Sequence, residues 1–492
     1  MAFTNTADLN WNSLLGAPGG SRVYNDGAQE NWTADRSTTT RNAATATITK
    51  RGPAGPIRIG DVVTYSIDAT VPANTVAWYP VFTDTMNQRG TSYVSSSATI
   101  TTRANPPATP ATLGGSSTPT VTTSAPSNRI FTWNLPGPID NSGNPLPYAF
   151  TLTFQAQVTG NNAGAWDYWA ATNTQSVSDS ASFRWRDVSA GGPTTNQTAN
   201  SGSVATSVRQ PRISATKTIL TPGPLAGGSW IDYQVVLANS SGYNTAYDVS
   251  VTDTFPVEVS SATLATATLT GVGSILPSAT TDFSHLPTSA VTFDSGVSLG
   301  TTQTITLVYH CQLAPTAGAG VTLVNNADAN WSSEPGAVAG ERVYNDSAQE
   351  TGWTNDTTSV STSTPLATFS KTISGATTGT IGSAVVYSLN TTIPANETAY
   401  SLVVTDTVPD YLTVVAANAS LPGALTVGTP GAAGTLVTYN GGDLAGSATP
   451  TTVTVTLLCQ VRDNRYSGPA VPSGAISNSA LLAWRTRTSG GT

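Results

Sequence analysis

Three lysines stand among the 20 basic residues of this 492-residue chain: Lys50, Lys217 and Lys371. Solvated positions tolerate many residue types, so surface lysines normally scatter. These three recur at one place in a repeated pattern, and arginine fills the remaining basic roles. In a strand every second side chain shares a face. Ala46 and Ile48 share a face with Lys50, Ile213 and Ala215 with Lys217, and Phe369 and Ile373 with Lys371. Each amine is therefore expected on an apolar face. Three aspartates follow the same rule: Asp84 with Phe82, Asp253 with Val249 and Val251, and Asp406 with Leu402 and Val404. A later segment aligns Asp179 with Ala181, Phe183 and Trp185, Asn325 with Ala327, Ala329 and Trp331, and Asn478 with Ala480, Leu482 and Trp484.

A Lys, an Asp and an Asn (an Asp in the first copy) are thus aimed into each core. A lone buried ammonium or carboxylate is too costly, so such groups pair or neutralise. Burial lowers the lysine pKa and raises that of the acid, and the pair can interconvert between an ion pair and a neutral amine beside a neutral acid. A neutral amine beside a carboxamide is a nucleophile beside an acyl group. A protonated aspartate hydrogen-bonded to that carbonyl would stabilise the developing oxyanion and shuttle protons. The product would be a Lys–Asn isopeptide bond with loss of ammonia; with Asp179 as acceptor, water would leave. A buried hydrogen-bonded Lys–Asp–Asn network without a covalent bond explains the same pattern. For the first copy, a plain buried salt bridge is a further rival.

The elements that position these groups repeat along the chain. Ile213 to Ile219, Trp230 to Tyr233 and Val249 to Pro256 recur as Phe369 to Ile373, Val385 to Tyr387 and Val403 to Pro409. The first copy is Ile48 to Lys50, Val62 to Tyr65 and Val81 to Thr85. Each ends in a strand closing on tryptophan: Asp179 to Trp185, Asn325 to Trp331 and Asn478 to Trp484. From Asp253 to Asn325 is 72 residues, as from Asp406 to Asn478, whereas Asp84 to Asp179 is 95. The excess matches the Pro/Thr/Ser-rich stretch from Ala104 to Ser127, read as one long surface loop. A fourth closing strand, Asn5 to Trp11, opens the chain and runs into Arg22-Val-Tyr-Asn-Asp26; the same tail follows the second copy as Arg342-Val-Tyr-Asn-Asp346. Asn5 is an acceptor without a lysine of its own.

Period-two alternation of β-branched and aromatic residues, without sustained helical periodicity, predicts an all-β chain of tandem immunoglobulin-like β-sandwich domains. The expected boundaries are 1–40 (closing strand and tail of a preceding repeat), 41–208, 209–364 and 365–492. Such a chain is expected to be a piece cut from a longer array, with donation of the first strand to a neighbouring molecule as the second reading. Its start lacks a signal peptide, which also points to a longer precursor.

Only 10% of residues are charged and the formal net charge is -8. Without a basic stripe, a nucleic-acid partner is not expected. No run is apolar enough to span a membrane as a helix. The two cysteines, Cys311 and Cys459, occupy equivalent places in different repeats, where the first repeat has Ala156; they are expected as buried small hydrophobes rather than a disulfide. His285 and His310 are the only histidines, so a zinc site or histidine-based triad is not expected. The acids Asp26, Glu30 and Asp35, and their counterparts Asp346, Glu350 and Asp356, make a calcium site conceivable but match no calcium loop; solvated turn residues are the expectation. Trp166-Asp-Tyr168-Trp169 is read as core or cross-strand aromatics in preference to a sugar platform.

The pattern of Lys-Thr in the first strand, Tyr in the next, Val-Thr-Asp-Thr-x-Pro, and a closing Asn-x-Ala strand resembles the bacterial surface "conserved repeat domain". It is similar also to the isopeptide-forming domains of Gram-positive fimbriae and adhesins. The resemblance covers nearly the whole chain. It implies Ig-like sandwiches in a cell-surface stalk, a first-strand lysine joined to a last-strand asparagine, and an acid between them. Carried over, Lys217 would join Asn325 with Asp253 assisting, and Lys371 would join Asn478 with Asp406 assisting. The first copy, with Lys50 and Asp84, departs from the pattern because Asp179 replaces Asn. The expected function is a non-enzymatic structural part of an extracellular bacterial surface assembly. Its expected partners are neighbouring repeats, a homopolymer, or a surface glycan or protein ligand. The alternative is an adhesin or carbohydrate-binding module using loops of the first domain.

Overall fold

The computed structural model describes residues 2–9, 11–12, 23–24, 36–42, 45–86, 90–114, 118–124, 128–160, 174–189, 196–275, 280–281, 290–294, 296–345, 356–375, 377–465, 468 and 474–487. Among these there is no helix; the chain is all-β, built from antiparallel sheets that pair into Ig-like sandwiches. The described residues up to Gly160 and those from Gln175 to Val208 belong to one compact unit, and those from Arg209 onward to a second.

Each sandwich sets a lysine-bearing sheet against a sheet bearing the aspartate. In the first, Ile48–Arg51, Val62–Val71, Tyr148–Val158 and Thr99–Ala104 lie side by side. The facing sheet centres on Thr75–Met86, flanked by Asn128–Asn134 and Thr174–Arg186. The second sandwich repeats this with Ile213–Ile219, Trp230–Asn239, Thr304–Leu313 and Val259–Leu269 against Val291–Asp294, Tyr247–Thr254 and Thr322–Ser332. The third uses Thr368–Ser374, Ala384–Ile393, Thr451–Val461 and Leu412–Ala419 against Thr435–Ala445, Thr398–Val408 and Ala480–Arg485. Alternation of apolar and hydroxyl residues drives this arrangement: Tyr148–Val158 is buried at every second position from Tyr148 to Val158. Each buried aromatic such as Phe150, Phe154 or Phe183 contributes about 1.5–3 kcal/mol.

The stretch read as one long loop is only partly a loop. Its Thr120–Ser124 forms a strand paired with Asn128–Asn134. Ala111 is buried and its N–H donates to the Tyr148 hydroxyl. Alternating Thr and Val residues satisfy their backbone groups better by extending the sheet than by remaining solvated.

The aspartate strands share a feature that no alternation rule supplies. Five residues before each aspartate stands an exposed non-glycine residue in the left-handed region: Tyr79 (φ 51°), Asp248 (φ 49°) and Ser401 (φ 51°). Pairing registers slip at these places, as they do at a β-bulge. Ala77, Ala246 and Ala399 are buried on one phase of the alternation before the bulge; the aspartates are buried on the other phase after it.

The N-terminal strand Ala2–Asp8 pairs with Arg36–Asn42, Asn5 lying opposite Thr39, and Trp11 pairs with Tyr24. In the second sandwich, the closing strand pairs with Thr357–Ser363, Asn325 opposite Val360, and Trp331 pairs with Tyr344. The two closing segments therefore use the same pairing plan. The side chain of Asn5 lies outside the described residues.

Candidate functional site

Equivalent registers bring the three predicted residue sets to one place in each sandwich. Lys50 lies opposite Ile67, Lys217 opposite Val235 and Lys371 opposite Leu389. Asp84 lies opposite Ala181, Asp253 opposite Ala327 and Asp406 opposite Ala480. The acceptor position stands two residues before that alanine in every copy, so it points into the same interior as the aspartate beside it.

In the second sandwich the Lys217 Nζ donates to Asp253 Oδ2 at 2.5 Å, and neither side chain is exposed. Asn325 is completely buried. It approaches closely enough to pull the Asp253 carboxyl down, yet its amide nitrogen and oxygen have no partner at hydrogen-bond geometry. Burial pushes the Asp253 carboxyl up to about 6, against the pull of Lys217 and Asn325, and pushes the Lys217 ammonium down against the pull of Asp253. Both shifts favour the neutral amine beside the neutral acid.

The third sandwich holds Lys371 Nζ at 2.6 Å from Asp406 Oδ2. Burial lowers Lys371 and raises Asp406. Asn478 again presents a buried carboxamide without a partner at hydrogen-bond geometry. The interior is less closed here: the Lys371 side chain is 13% exposed, and Ile373, expected inside, is 45% exposed. In the second sandwich Thr357–Ser363 flanks the closing strand; among the described residues, Ala480–Arg485 pairs only with Thr398–Val408.

In the first sandwich Lys50 pairs with both Asp84 and Asp179, all three buried. Burial and then the neighbouring Asp84 push Asp179 up to about 9. Burial also raises Asp84, with Lys50 opposing. Two carboxyls beside one amine share a proton, which belongs to the pair. A protonated carboxyl in the acceptor place is an acyl group that would lose its hydroxyl as water.

The remaining expected sites fare differently. Cys311 and Cys459 are buried and unpaired, opposite Ile231 and Val385, as Ala156 is opposite Val63. Asp356 is not the solvated turn residue expected of it: it is 1% exposed, and its backbone carbonyl accepts from the Ala329 N–H. It serves to anchor the returning chain against the closing strand. Asp26, Glu30, Asp35, Asp346, Glu350, His285 and the segment Trp166 to Trp169 lie outside the described residues. Among the described residues no group of three or more His, Cys, Asp or Glu could hold a metal ion, calcium included. His310 stacks on Trp230, with centroids 4.2 Å apart, and its Nδ1 lies 2.5 Å from Asp232 Oδ1 on a half-exposed sheet face. No helix of the described residues is long and apolar enough to cross a membrane.

No family model matches this chain, and no curated protein does. Solved structures similar to it include the C-terminal domain of the AgI/II polypeptide BspA of Streptococcus agalactiae, at 11% identity and TM-score 0.36, covering 64% of this chain and 100% of that one. Others are the pilus backbone RrgB of Streptococcus pneumoniae, at 11% identity and TM-score 0.20 over 75% of this chain and 66% of that one, and a 35 kDa C-terminal fragment of the Streptococcus agalactiae major pilin GBS80, at 11% identity and TM-score 0.23 over 65% and 92%. Likeness at this level is one of strand architecture, and the site's own geometry carries the functional reading.

Two groups of residues were not found by reading the sequence. One locks the second and third sandwiches together. The Glu258 carboxylate, buried, accepts from Arg487 at 2.7 Å; the Tyr400 hydroxyl donates to the Thr316 carbonyl at 2.7 Å, and the Trp484 indole to the Ala319 carbonyl at 3.0 Å. Gly318 and Gly227 sit where a Cβ would collide with the Thr486 and Asn396 carbonyls. The other is Arg342 of the tail motif, fully buried, donating to Gln210 Oε1 at 2.9 Å. Its recurrence as Arg22 was the available signal.

The junction also contains Glu397, fully buried, with neither carboxyl oxygen at hydrogen-bond geometry to any group. Burial pushes its carboxyl up to about 8, with the Gly227 N–H opposing. A pKa raised on folding stabilises the docked state fully below the ordinary value of 4.5, and the stabilisation is lost as pH rises toward 8. The Ala319 and Gly320 amides bond across the junction to the Thr398 and Pro365 carbonyls. Their hydrogen exchange, corrected for its intrinsic pH dependence, is expected to lose protection over that window. Glu397→Gln is expected to flatten the profile; an unchanged profile would assign the effect elsewhere.

Proposed function

We propose that this chain is a structural component of an extracellular bacterial surface assembly, a stalk, filament or envelope layer. Its Ig-like repeats carry autocatalytic isopeptide bonds between Lys217 and Asn325, Lys371 and Asn478, and Lys50 and Asp179. The observation that supports it is the convergence, in all three sandwiches, of an amine, a carboxyl and an acyl acceptor drawn from three strands of two sheets.

The reaction needs no outside reagent. In the neutral form of the pair, the Lys217 nitrogen attacks the Asn325 side-chain carbonyl carbon, and the carbonyl electrons move onto oxygen. Asp253, protonated, passes its proton toward that oxygen as it becomes charged; the carboxylate so formed takes the amine proton and delivers it to the leaving nitrogen, and the carboxyl recovers its own proton as the carbonyl re-forms. The C–N bond to ammonia breaks as the new amide forms. Asp406 would do the same for Lys371 and Asn478. In the first sandwich Asp84 would assist and water would leave Asp179. Low dielectric favours the step by keeping the amine unprotonated. The product ties the first strand of a sandwich to its last, so tension along the chain bypasses the hydrogen-bonded sheets. The chain would achieve without cysteine pairing what disulfides do elsewhere.

The assembly role is tested on cells. An antibody raised against this chain is expected to label intact, unpermeabilised cells of the source organism, with labelling lost on gentle protease shaving. Labelling only after lysis would sink the surface reading while leaving the cross-link chemistry to be judged separately.

A further inference from the structure

Each site contains a fourth residue that the lysine–acid–amide scheme does not use. Tyr65, Tyr233 and Tyr387 stand two residues before the partner of the lysine on the neighbouring strand, so they share its inner face. They are 1%, 0% and 4% exposed. The lysine amine lies over each ring, 4.8, 5.5 and 4.8 Å from the centroid. The ring alone would explain an aromatic there, since an amine held over a π-face is favourable. It does not explain tyrosine three times. The hydroxyls of Tyr65 and Tyr233 are buried without a hydrogen-bond partner, a condition that costs about 1–3 kcal/mol and that phenylalanine would avoid. The third hydroxyl, that of Tyr387, lies close enough to the acceptor Asn478 for that side chain to pull the phenol down against burial. Opposite these tyrosines the chain places Phe154, Tyr309 and Leu457, so a hydroxyl recurs at one of the two neighbouring positions and not at the other.

We propose that Tyr65, Tyr233 and Tyr387 donate their phenolic O–H to the acceptor carbonyl oxygen as it becomes an oxyanion, forming with the aspartate a two-donor cradle for the tetrahedral intermediate. This rests on the cross-linking reading above and extends it. No proton leaves the phenol: the hydrogen bond strengthens as charge builds on the oxygen and relaxes when ammonia, or water in the first sandwich, departs. Burial first, and then the nearby acidic groups, hold the phenols above their ordinary pKa, so each remains a donor. A donor without a partner before reaction is suited to this role, because its hydrogen bond forms only as charge develops and is not spent on the ground state.

The test follows freshly translated full-length chain with time, quantifying the peptide in which Lys217 is joined to Asn325. Tyr233→Phe keeps the ring under the amine and removes only the donor. It is expected to slow appearance of the joined peptide by about 100-fold, the usual lower cost of losing one oxyanion donor. Tyr309→Phe, at the neighbouring position, is expected to leave the rate unchanged. A fluorinated tyrosine at position 233, with nearly the same shape and a stronger donor, is expected to match or exceed the wild-type rate. A wild-type rate for Tyr233→Phe overturns the proposal and leaves the cross-link standing. A fluorinated tyrosine as slow as phenylalanine assigns the loss to packing and also overturns it. If the wild-type chain never forms the joined peptide, the cross-linking reading itself fails.

Discussion

The intact full-length protein is expected to weigh less than its sequence by two ammonias and one water, and Lys217→Ala to recover one of the ammonias. The reasoning is local to each site. In the second sandwich a buried amine lies 2.5 Å from a buried acid, and a carboxamide without hydrogen-bond partners sits beside them. Leaving both polar atoms of a buried amide outside hydrogen-bond geometry costs about 1–3 kcal/mol each. Conversion to an amide with the lysine removes the buried ammonium and the primary amide together. The same deficit should remain after boiling in denaturant, because the linkage is covalent. Fragmentation should yield branched peptides joining Lys217 to Asn325, Lys371 to Asn478 and Lys50 to Asp179. An unchanged mass deficit in Lys217→Ala would refute that assignment, and a full-mass wild type would leave only buried ion pairs.

Pulled from its ends, the wild-type second sandwich is expected not to lengthen between Lys217 and Asn325, whereas Asp253→Ala releases that segment. Residues 217 and 325 are 108 apart in sequence; at roughly 3.4 Å per residue the released length is about 370 Å, readily resolved by single-molecule force measurement. The variant removes the acid that moves the protons and leaves lysine and asparagine in place, so its extension reports the missing bond. Against heat the effect is smaller. By analogy with a disulfide closing a loop of that size, the bond stabilises by about 4–5 kcal/mol through the unfolded chain. Asp253→Ala should therefore melt earlier, and further than a cavity of that size alone explains. Full extension of the wild type in one force peak would remove the mechanical role.

The faces of the strands were legible because alternation is a local property: the burial of Ile213, Ala215 and Lys217, and of Asn325, Ala327, Ala329 and Trp331, follows from period two and needs no knowledge of neighbours. The recurrence of three lysines at one register carried the candidate sites for the same reason. The inner placement of the aspartates was legible only because the pattern was read backwards from Asp84, Asp253 and Asp406. Counted from the start of their strands, Ala77 and Ala399 set the opposite phase, and the bulges at Tyr79, Asp248 and Ser401 reset it. A bulge depends on how two strands share their hydrogen bonds, which a single segment does not encode.

Sequence by itself determined that each repeat would fold as an all-β sandwich with polar chemistry-bearing groups inside it, since composition and alternation decide which side chains leave water. Tertiary structure alone decided what those groups touch: that Asp179 and Asp84 share Lys50, that Thr120–Ser124 extends a sheet, and that Glu258 and Arg487 meet at a junction between repeats. These are encounters between residues far apart in the chain. Their energies come from burial and pairing after the sheets have closed, and no spacing along one strand records them.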